Sequence, residues 1–406
     1  MTVCGIVAEY NPFHTGHEYQ IKETRRILGA DCAILAIMSG NWVQQADCAI
    51  ADKWTRARLA LMGGADLVLE LPTLWAASTA ESFARGAMEL LNATGVVDAI
   101  SFGSECGSAE ALEKIAACLD TPNYHALVQQ QKDGGSTFAV CRQNAVHDLL
   151  GEEYSKLLST PNNNLGIEYI RALNALGSSI RPITVLRRGA AHNSIGMLSP
   201  QGEPPRFISA TQIRAALLEG NAESVRNYLV PGGMEFLQDN TIELPQLKQV
   251  ERAMLARIRS MNAEAWAKLP DSGLAEGLPY RLEQAGRQCS NINHFFDLVK
   301  TKRYTHARLR RLVLWAFLGL EESARPASPP YLRVLGSNET GRTVLKEMKT
   351  RAALPVLTKP AQIKDLCESA KQVFEMECRS TDLYDLCFPT LRAPGREWNT
   401  SPVILK

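Results

Sequence analysis

Along the first half of the chain, apolar residues recur with two alternating periods. Val3–Ala8, Ala33–Met38, Leu67–Leu71, Ala99–Phe102 and Ile183–Leu186 are short runs rich in aliphatic residues. Their length and makeup are those of buried strands. Between them Thr55–Met62, Glu81–Leu91 and Leu165–Leu176 carry apolar residues at helical spacing. Repetition of strand, helix and strand predicts an α/β fold of the doubly wound class, a parallel sheet covered on both faces. From Ala222 to about Glu322 the pattern turns helical, with no strand of comparable clarity. Past the Pro-rich stretch 325–330 a strand, Tyr331–Leu335, and a helix, Arg342–Lys349, are predicted. The pattern therefore divides the chain into an α/β domain at 1–220 and a mainly helical region at 221–406.

Composition narrows the class. With 406 residues, 45% of them hydrophobic, the chain can build a sizeable core. No apolar run approaches the roughly 18 residues a membrane helix needs. No charged segment precedes a long apolar stretch at the N-terminus, so a cytoplasmic protein without membrane contact is expected. The 10 cysteines include no Cys-x-x-Cys pair, and several lie in apolar runs. Buried reduced thiols fit this better than a disulfide frame or a zinc site. A net charge of +1 leaves any nucleic-acid surface to local patches.

Candidate chemistry begins directly after the first strand, in Glu9-Tyr10-Asn11-Pro12-Phe13-His14-Thr15-Gly16-His17-Glu18-Tyr19-Gln20. In doubly wound sheets, ligands bind at the carboxyl ends of strands where the strand order reverses. Pro12 is expected to hold the chain extended, and Gly16 to allow close approach to the backbone. A helix starting near His17 would aim free N–H groups and its positive dipole end at the same spot, a ready anion site. Two imidazoles there add donors able to neutralise phosphate charge. A plain turn remains open as a reading, and a metal site is only weakly supported, since nothing else in the first 120 residues offers a third histidine or a vicinal cysteine pair.

His14-Thr15-Gly16-His17 resembles the H-x-G-H signature of the nucleotidyltransferase superfamily, and Ile208-Ser209-Ala210-Thr211-Gln212-Ile213-Arg214 resembles its second signature. A narrower resemblance follows from "GIVAEYNPFHTGH", "AIMSGNWVQ", "DKWTRARLAL", "GADLVLELP", "FARGA", "SFGSE", "TPNNNLGIEYI" and "KTKRYT", in this order. Together they are similar to the bacterial tRNA(Met) cytidine acetate ligase family, densely over 1–220 and more thinly to "PYLRVLG". The chain departs from that family's pattern twice. Gln45-Ala46-Asp47 stands where Arg-Gly-Glu is expected, and "PNNN" carries an Asn where an Ile is usual.

The resemblance implies a nucleotidyltransferase, Rossmann-like domain that binds ATP, with Mg²⁺, and a helical region that binds elongator tRNA(Met). It implies acetate as second substrate, no acetyl-coenzyme A, and no obligatory protein partner. Val7, Ala8 and residues Glu9 to Gln20 would wrap the nucleotide, with His14 and His17 acting on the phosphates. Gly103 would let the nucleotide lie on backbone, and Asn162 would read base or ribose, unless it caps the helix that follows. Arg187, Arg188, Thr211 and Arg214 would face the triphosphate, and Lys53 is a further candidate cation. The implied reaction joins acetate to the α-phosphate of ATP and passes the acetyl group to N4 of the wobble cytidine, giving N4-acetylcytidine.

Two further stretches need a reading. Gly336–Thr343 imitates a P-loop, but Arg342 replaces its lysine, so a strand–turn–helix connection is expected instead. Residues 296–315 carry Lys300, Lys302, Arg303, Arg308, Arg310 and Arg311 against Asp297, with Tyr304 and His306 among them. Cations on phosphates and aromatics on splayed bases hold single-stranded RNA loops, and the resemblance favours tRNA contact here. A small-molecule adenylyltransferase and a non-catalytic nucleotide-sensing RNA-binding protein remain the alternatives.

Overall fold

A computed structural model describes residues 1–133, 137–187, 207–240, 243–301 and 303–406. The described residues build ten strands: β1 (Val3–Ala8), β2 (Ala33–Ser39), β3 (Trp42–Val43), β4 (Asp47–Cys48), β5 (Leu67–Leu71), β6 (Ala99–Ser104), β7 (Arg181–Leu186), β8 (Leu332–Ser337), β9 (Val356–Leu357) and β10 (Val403–Ile404). The main sheet runs in the order β10-β8-β5-β2-β1-β6-β7, with β9 beside β8. β1 pairs in parallel with β2 from Val3↔Ala33 to Ala8↔Met38, and with β6 at Cys4↔Ala99 and Gly5↔Ile100. The order therefore reverses at β1, whose carboxyl end opens into the crevice between the two halves of the sheet. All seven residues of β2 are buried, as a strand covered on both faces requires.

The doubly wound α/β expectation holds, with strands where the aliphatic runs stand. The sheet, however, does not end at residue 220. β8 adds antiparallel to β5, pairing Leu67 with Ser337, and β10 lies parallel beside β8. An added strand covers the edge that β5 would otherwise expose. The P-loop imitation is the expected strand–turn–helix connection. Asn338 Oδ1 caps the helix Glu339–Arg351 by accepting from Gly341 N–H at 2.9 Å. A Cβ on Gly341 would fall 1.9 Å from Asp66 O, so this glycine serves close helix–sheet packing.

The two halves are bolted together by buried polar groups. Trp42 Nε1 donates to Ser380 O at 2.8 Å, Asn41 Nδ2 to Thr381 Oγ1 at 3.0 Å, and Tyr384 OH to Ala49 O at 2.9 Å. Lys53, expected as a cation for the site, is instead fully buried, with Nζ 2.6 Å from Glu70 Oε1 and also paired with Glu397. Arg333 pairs with Glu397 at 3.3 Å in the same node. Glu377 accepts from Thr73 N–H at 2.6 Å, and burial together with the charge of Glu70 pushes its carboxyl up to about 8. All 10 cysteines are free, and of the ten only Cys367 is exposed.

Candidate active site

The turn after β1 is anchored from below. Tyr10 has φ 46° and the chain turns at Asn11 and Pro12 rather than running extended as Pro12 suggested. Asn11 is buried, and its Oδ1 accepts from Ile50 N–H at 2.7 Å. Phe13 is fully buried against Gly63, where a Cβ would come within 2.1 Å of its ring. Tyr10 and Phe13 hold the His17 ring with centroids at 4.9 and 5.4 Å. Arg56, also fully buried, ties the ends of β1 and β2 together through the carbonyls of Glu9, Ser39, Gly40 and Ala51.

On this base the two histidines form a reciprocal cap on the helix Thr15–Leu28. Gly16 N–H donates to His14 Nδ1 at 3.0 Å, and His14 N–H donates to His17 Nδ1 at 3.3 Å. The rings lie 3.9 Å apart with a 34° tilt. A Cβ on Gly16 would meet the His14 ring at 2.7 Å, so the glycine makes room for the imidazole itself. Burial, then the charges of Arg187 and Arg214, push His14 down to about 4. Burial, then His14 and Arg187, hold His17 well below the ordinary histidine value. Both rings are therefore neutral near pH 7. Since each Nδ1 accepts a hydrogen bond, the network assigns the single ring proton to Nε2, leaving two Nε2–H donors for the site.

The remaining cations come from distant segments. Arg214 lies on the helix Ala210–Leu218, which Ser209 and Gln212 close with a capping box. Its Nη1 donates to Asn11 O at 2.9 Å and its Nη2 to Thr211 Oγ1 at 3.2 Å. Arg187 follows β7 and donates to Asn162 Oδ1 at 3.4 Å, its stem 3.2 Å from the Cβ position of Gly103. Asn162 is not the helix cap: the helix runs Pro161–Ala175, and Thr160 precedes it. The hydroxyl of Thr15, buried in the first turn of the His14-capped helix, has no hydrogen-bond partner among the described residues. An orphaned hydroxyl at the positive end of a helix, with neutral Nε2–H donors and guanidiniums beside it, suits a polyphosphate.

Residues 1–397 match the HIGH Nucleotidyl Transferase family model. The chain is 39% identical over 396 residues to the tRNA(Met) cytidine acetate ligase of Caldanaerobacter subterraneus subsp. tengcongensis, covering 96% of each chain. It is 32% identical to that of Syntrophomonas wolfei, covering 99% of each. The crystal structure of Thermotoga maritima TmcAL bound with alpha-thio ATP superposes with a TM-score of 0.90, at 31% identity over 100% of both chains. This chain belongs to the tRNA(Met) cytidine acetate ligase family. Its resemblance to that family is thus a membership, and the α/β fold is shared with a solved relative.

Other expected wrapping residues of this family member are placed less centrally. Val7 and Ala8 end β1 opposite Ile37 and Met38. Glu9 Oε1 accepts from Gln44 N–H at 2.9 Å, and burial pushes its carboxyl up against the opposing pull of that bond and of Arg214 and Arg56. Glu18 pairs with Lys22 at 2.6 Å, Tyr19 packs on Phe207 at 5.5 Å, and Gln20 Nε2 donates to Ser101 O at 3.1 Å. Arg188 and Lys302 lie outside the described residues. Arg56 and Glu105 also shape the site. Arg56 bonds only backbone carbonyls, and Glu105 meets its partners 57 and 58 residues away, so neither leaves a local signal.

The basic stretch of this family member looks different in three dimensions. Arg308 pairs with Asp271 at 3.2 Å and Glu276 at 3.0 Å, and Arg311 pairs with Asp271 at 3.2 Å. Arg310 is only partly exposed, with a buried Nε that has no partner among the described residues. Tyr304 is buried, and its OH donates to Glu276 O at 3.0 Å, so its ring is not offered to solvent. Lys300 and Arg303 are exposed. Arg303 borders a cleft of about 490 Å³ together with Glu276, Gly277, Arg281, Thr301 and Tyr304.

Proposed function

We propose that this chain is an ATP-dependent acetate ligase that acetylates N4 of the wobble cytidine of elongator tRNA(Met). The observation that carries the chemical half is the convergence of two neutral imidazoles, Arg187 and Arg214 at a helix N-terminus beside the strand-order reversal. In the first step an acetate oxygen attacks the α-phosphorus of ATP, the α–β bridging bond breaks and pyrophosphate leaves. Nε2–H of His14 and His17 and Thr15 Oγ1 hold phosphate oxygens as charge moves onto the leaving group, with the positive end of the helix dipole behind them. Arg214 and Arg187 hold the departing pyrophosphate and the nucleotide. In the second step N4 of cytidine attacks the acetyl carbonyl, AMP leaves and the amine loses one proton. ATP supplies the activation, so no acetyl-coenzyme A takes part.

Among the described residues no group of three or more His, Cys, Asp or Glu converges on a metal position. Mg²⁺ is expected as the counter-ion that ATP brings. For RNA, the exposed Lys300 and Arg303, with Tyr280, 65% exposed and next in sequence to Arg281 of the same cleft, are the proposed contacts. Single-stranded loops are held by such pairings of cation and free ring.

The test is exchange of labelled pyrophosphate into ATP. Exchange that depends on acetate and precedes any tRNA requirement is expected. Exchange that ignores acetate and requires a phosphorylated small molecule would assign the site to a small-molecule adenylyltransferase.

A further inference from the structure

Glu105 sits in the loop after β6, and its carboxylate reaches the start of the helix Pro161–Ala175. Oε1 accepts from Asn162 Nδ2 at 2.6 Å and from Asn162 N–H at 3.3 Å, while Oε2 accepts from Asn163 N–H at 2.9 Å. Asn163 Oδ1 answers by accepting from Glu105 N–H at 3.0 Å. Thr160 makes no side-chain cap, and Pro161 has no N–H, so Glu105 serves the open donors of this helix from another segment. That alone is a stabilising role.

We propose a second role: Glu105 is a positioning residue of the ATP site, orienting the Asn162 amide so that its oxygen faces Arg187. An asparagine amide presents a donor on one side and an acceptor on the other. An ionised carboxylate only accepts, so it fixes the NH₂ group towards itself. Oδ1 is thereby turned to the Arg187 guanidinium, 3.4 Å away. With the amide reversed, two sets of donors would face each other and Arg187 would lose its rest beside Gly103. Arg187 is one of the two charges that act on His14, so its placement bears on the phosphate site. This inference rests on the reading of the cradle as an ATP site.

A double-mutant cycle on KM for ATP in pyrophosphate exchange separates the two roles. Glu105→Ala is expected to raise KM about tenfold with kcat changed less than about twofold, a coupling within the range for residues sharing one network. In an Arg187→Ala background the same change is expected to move KM by less than about twofold, because the arginine to be placed is gone. The loss of melting temperature, which reports the cap, should be the same in both backgrounds. Glu105→Gln, which keeps the shape and one acceptor, carries the test if Glu105→Ala does not fold. An equal rise in KM in both backgrounds, or a fall in kcat at constant KM, would overturn the positioning role. Absence of any exchange by the wild-type chain would instead remove the ATP reading itself.

Discussion

The phosphate cradle and the basic stretch at 296–315 both stand out in the sequence by residue type, yet the fold uses them differently. In the cradle, His14 and His17 cap one helix through Nδ1, and the proposed ligand would meet their outer nitrogens. In the basic stretch, Asp271 and Glu276 occupy Arg308 and Arg311, leaving Lys300 and Arg303 as the exposed cations among the described residues. A motif set by local backbone geometry survives folding intact. A charge count does not, because acids from elsewhere in the chain are invisible to it.

The largest expected effect lies in the cradle. His17→Ala should lower acetate-dependent exchange by about 10²–10³, the usual cost of one donor aimed at developing charge. Circular dichroism should show the fold retained; near-wild-type exchange in a folded variant would make the cradle no different from a plain turn.

Stability should respond more to Lys53 than to the cradle histidines. Lys53→Ala leaves Glu70 buried without its cation and Glu397 with Arg333 alone, and should cost roughly 3–5 kcal/mol in urea melts. A cost under about 1 kcal/mol, the value of an exposed pair, would mean that the node is wet or loosely formed.

Acid should weaken the fold through the cradle. Its imidazoles resist protonation when folded, so the unfolded chain binds more protons as pH falls from 6.5 towards 4. Stability should therefore drop across that window. His14→Asn keeps a capping oxygen and removes one titrating ring, and should make the drop shallower. Parallel curves for both proteins would contradict the assigned neutral ring.

On the RNA side, Lys300→Ala with Arg303→Ala should flatten the slope of log affinity for tRNA against log salt by about 0.7–0.9 for each phosphate no longer neutralised. Arg308→Ala with Arg311→Ala should leave that slope unchanged and lower the melting temperature. The reverse result would restore the whole basic stretch as an RNA face.

The smallest effect concerns the departure from the family pattern at 45–47. Ala46 adopts φ 58° in the turn between β3 and β4, a conformation that favours the glycine expected there. Ala46→Gly should stabilise by about 1 kcal/mol. A loss of stability would show that the methyl packing of this buried residue outweighs the strain.

Much of the fold was legible because its strands are continuous aliphatic runs. β10, two residues long, and the antiparallel placement of β8 carry no periodicity of their own. In the site, the capping histidines and Arg214 follow from motifs that sit at helix starts. The roles of Gly16, Asn162 and Lys53 did not, since each depends on what folding brings beside it: the His14 ring, Glu105, and two buried carboxylates.

Isotope transfer from acetate labelled with ¹⁸O in its carboxylate tests the central claim most directly, with wild-type protein, ATP and tRNA. If acetate oxygen attacks the α-phosphorus, one labelled oxygen stays on that phosphorus when the acetyl carbonyl is taken by cytidine. The AMP released should then carry one ¹⁸O per acetyl group transferred. Unlabelled AMP, or label found in inorganic phosphate or pyrophosphate, would contradict adenylyl transfer to acetate at the cradle.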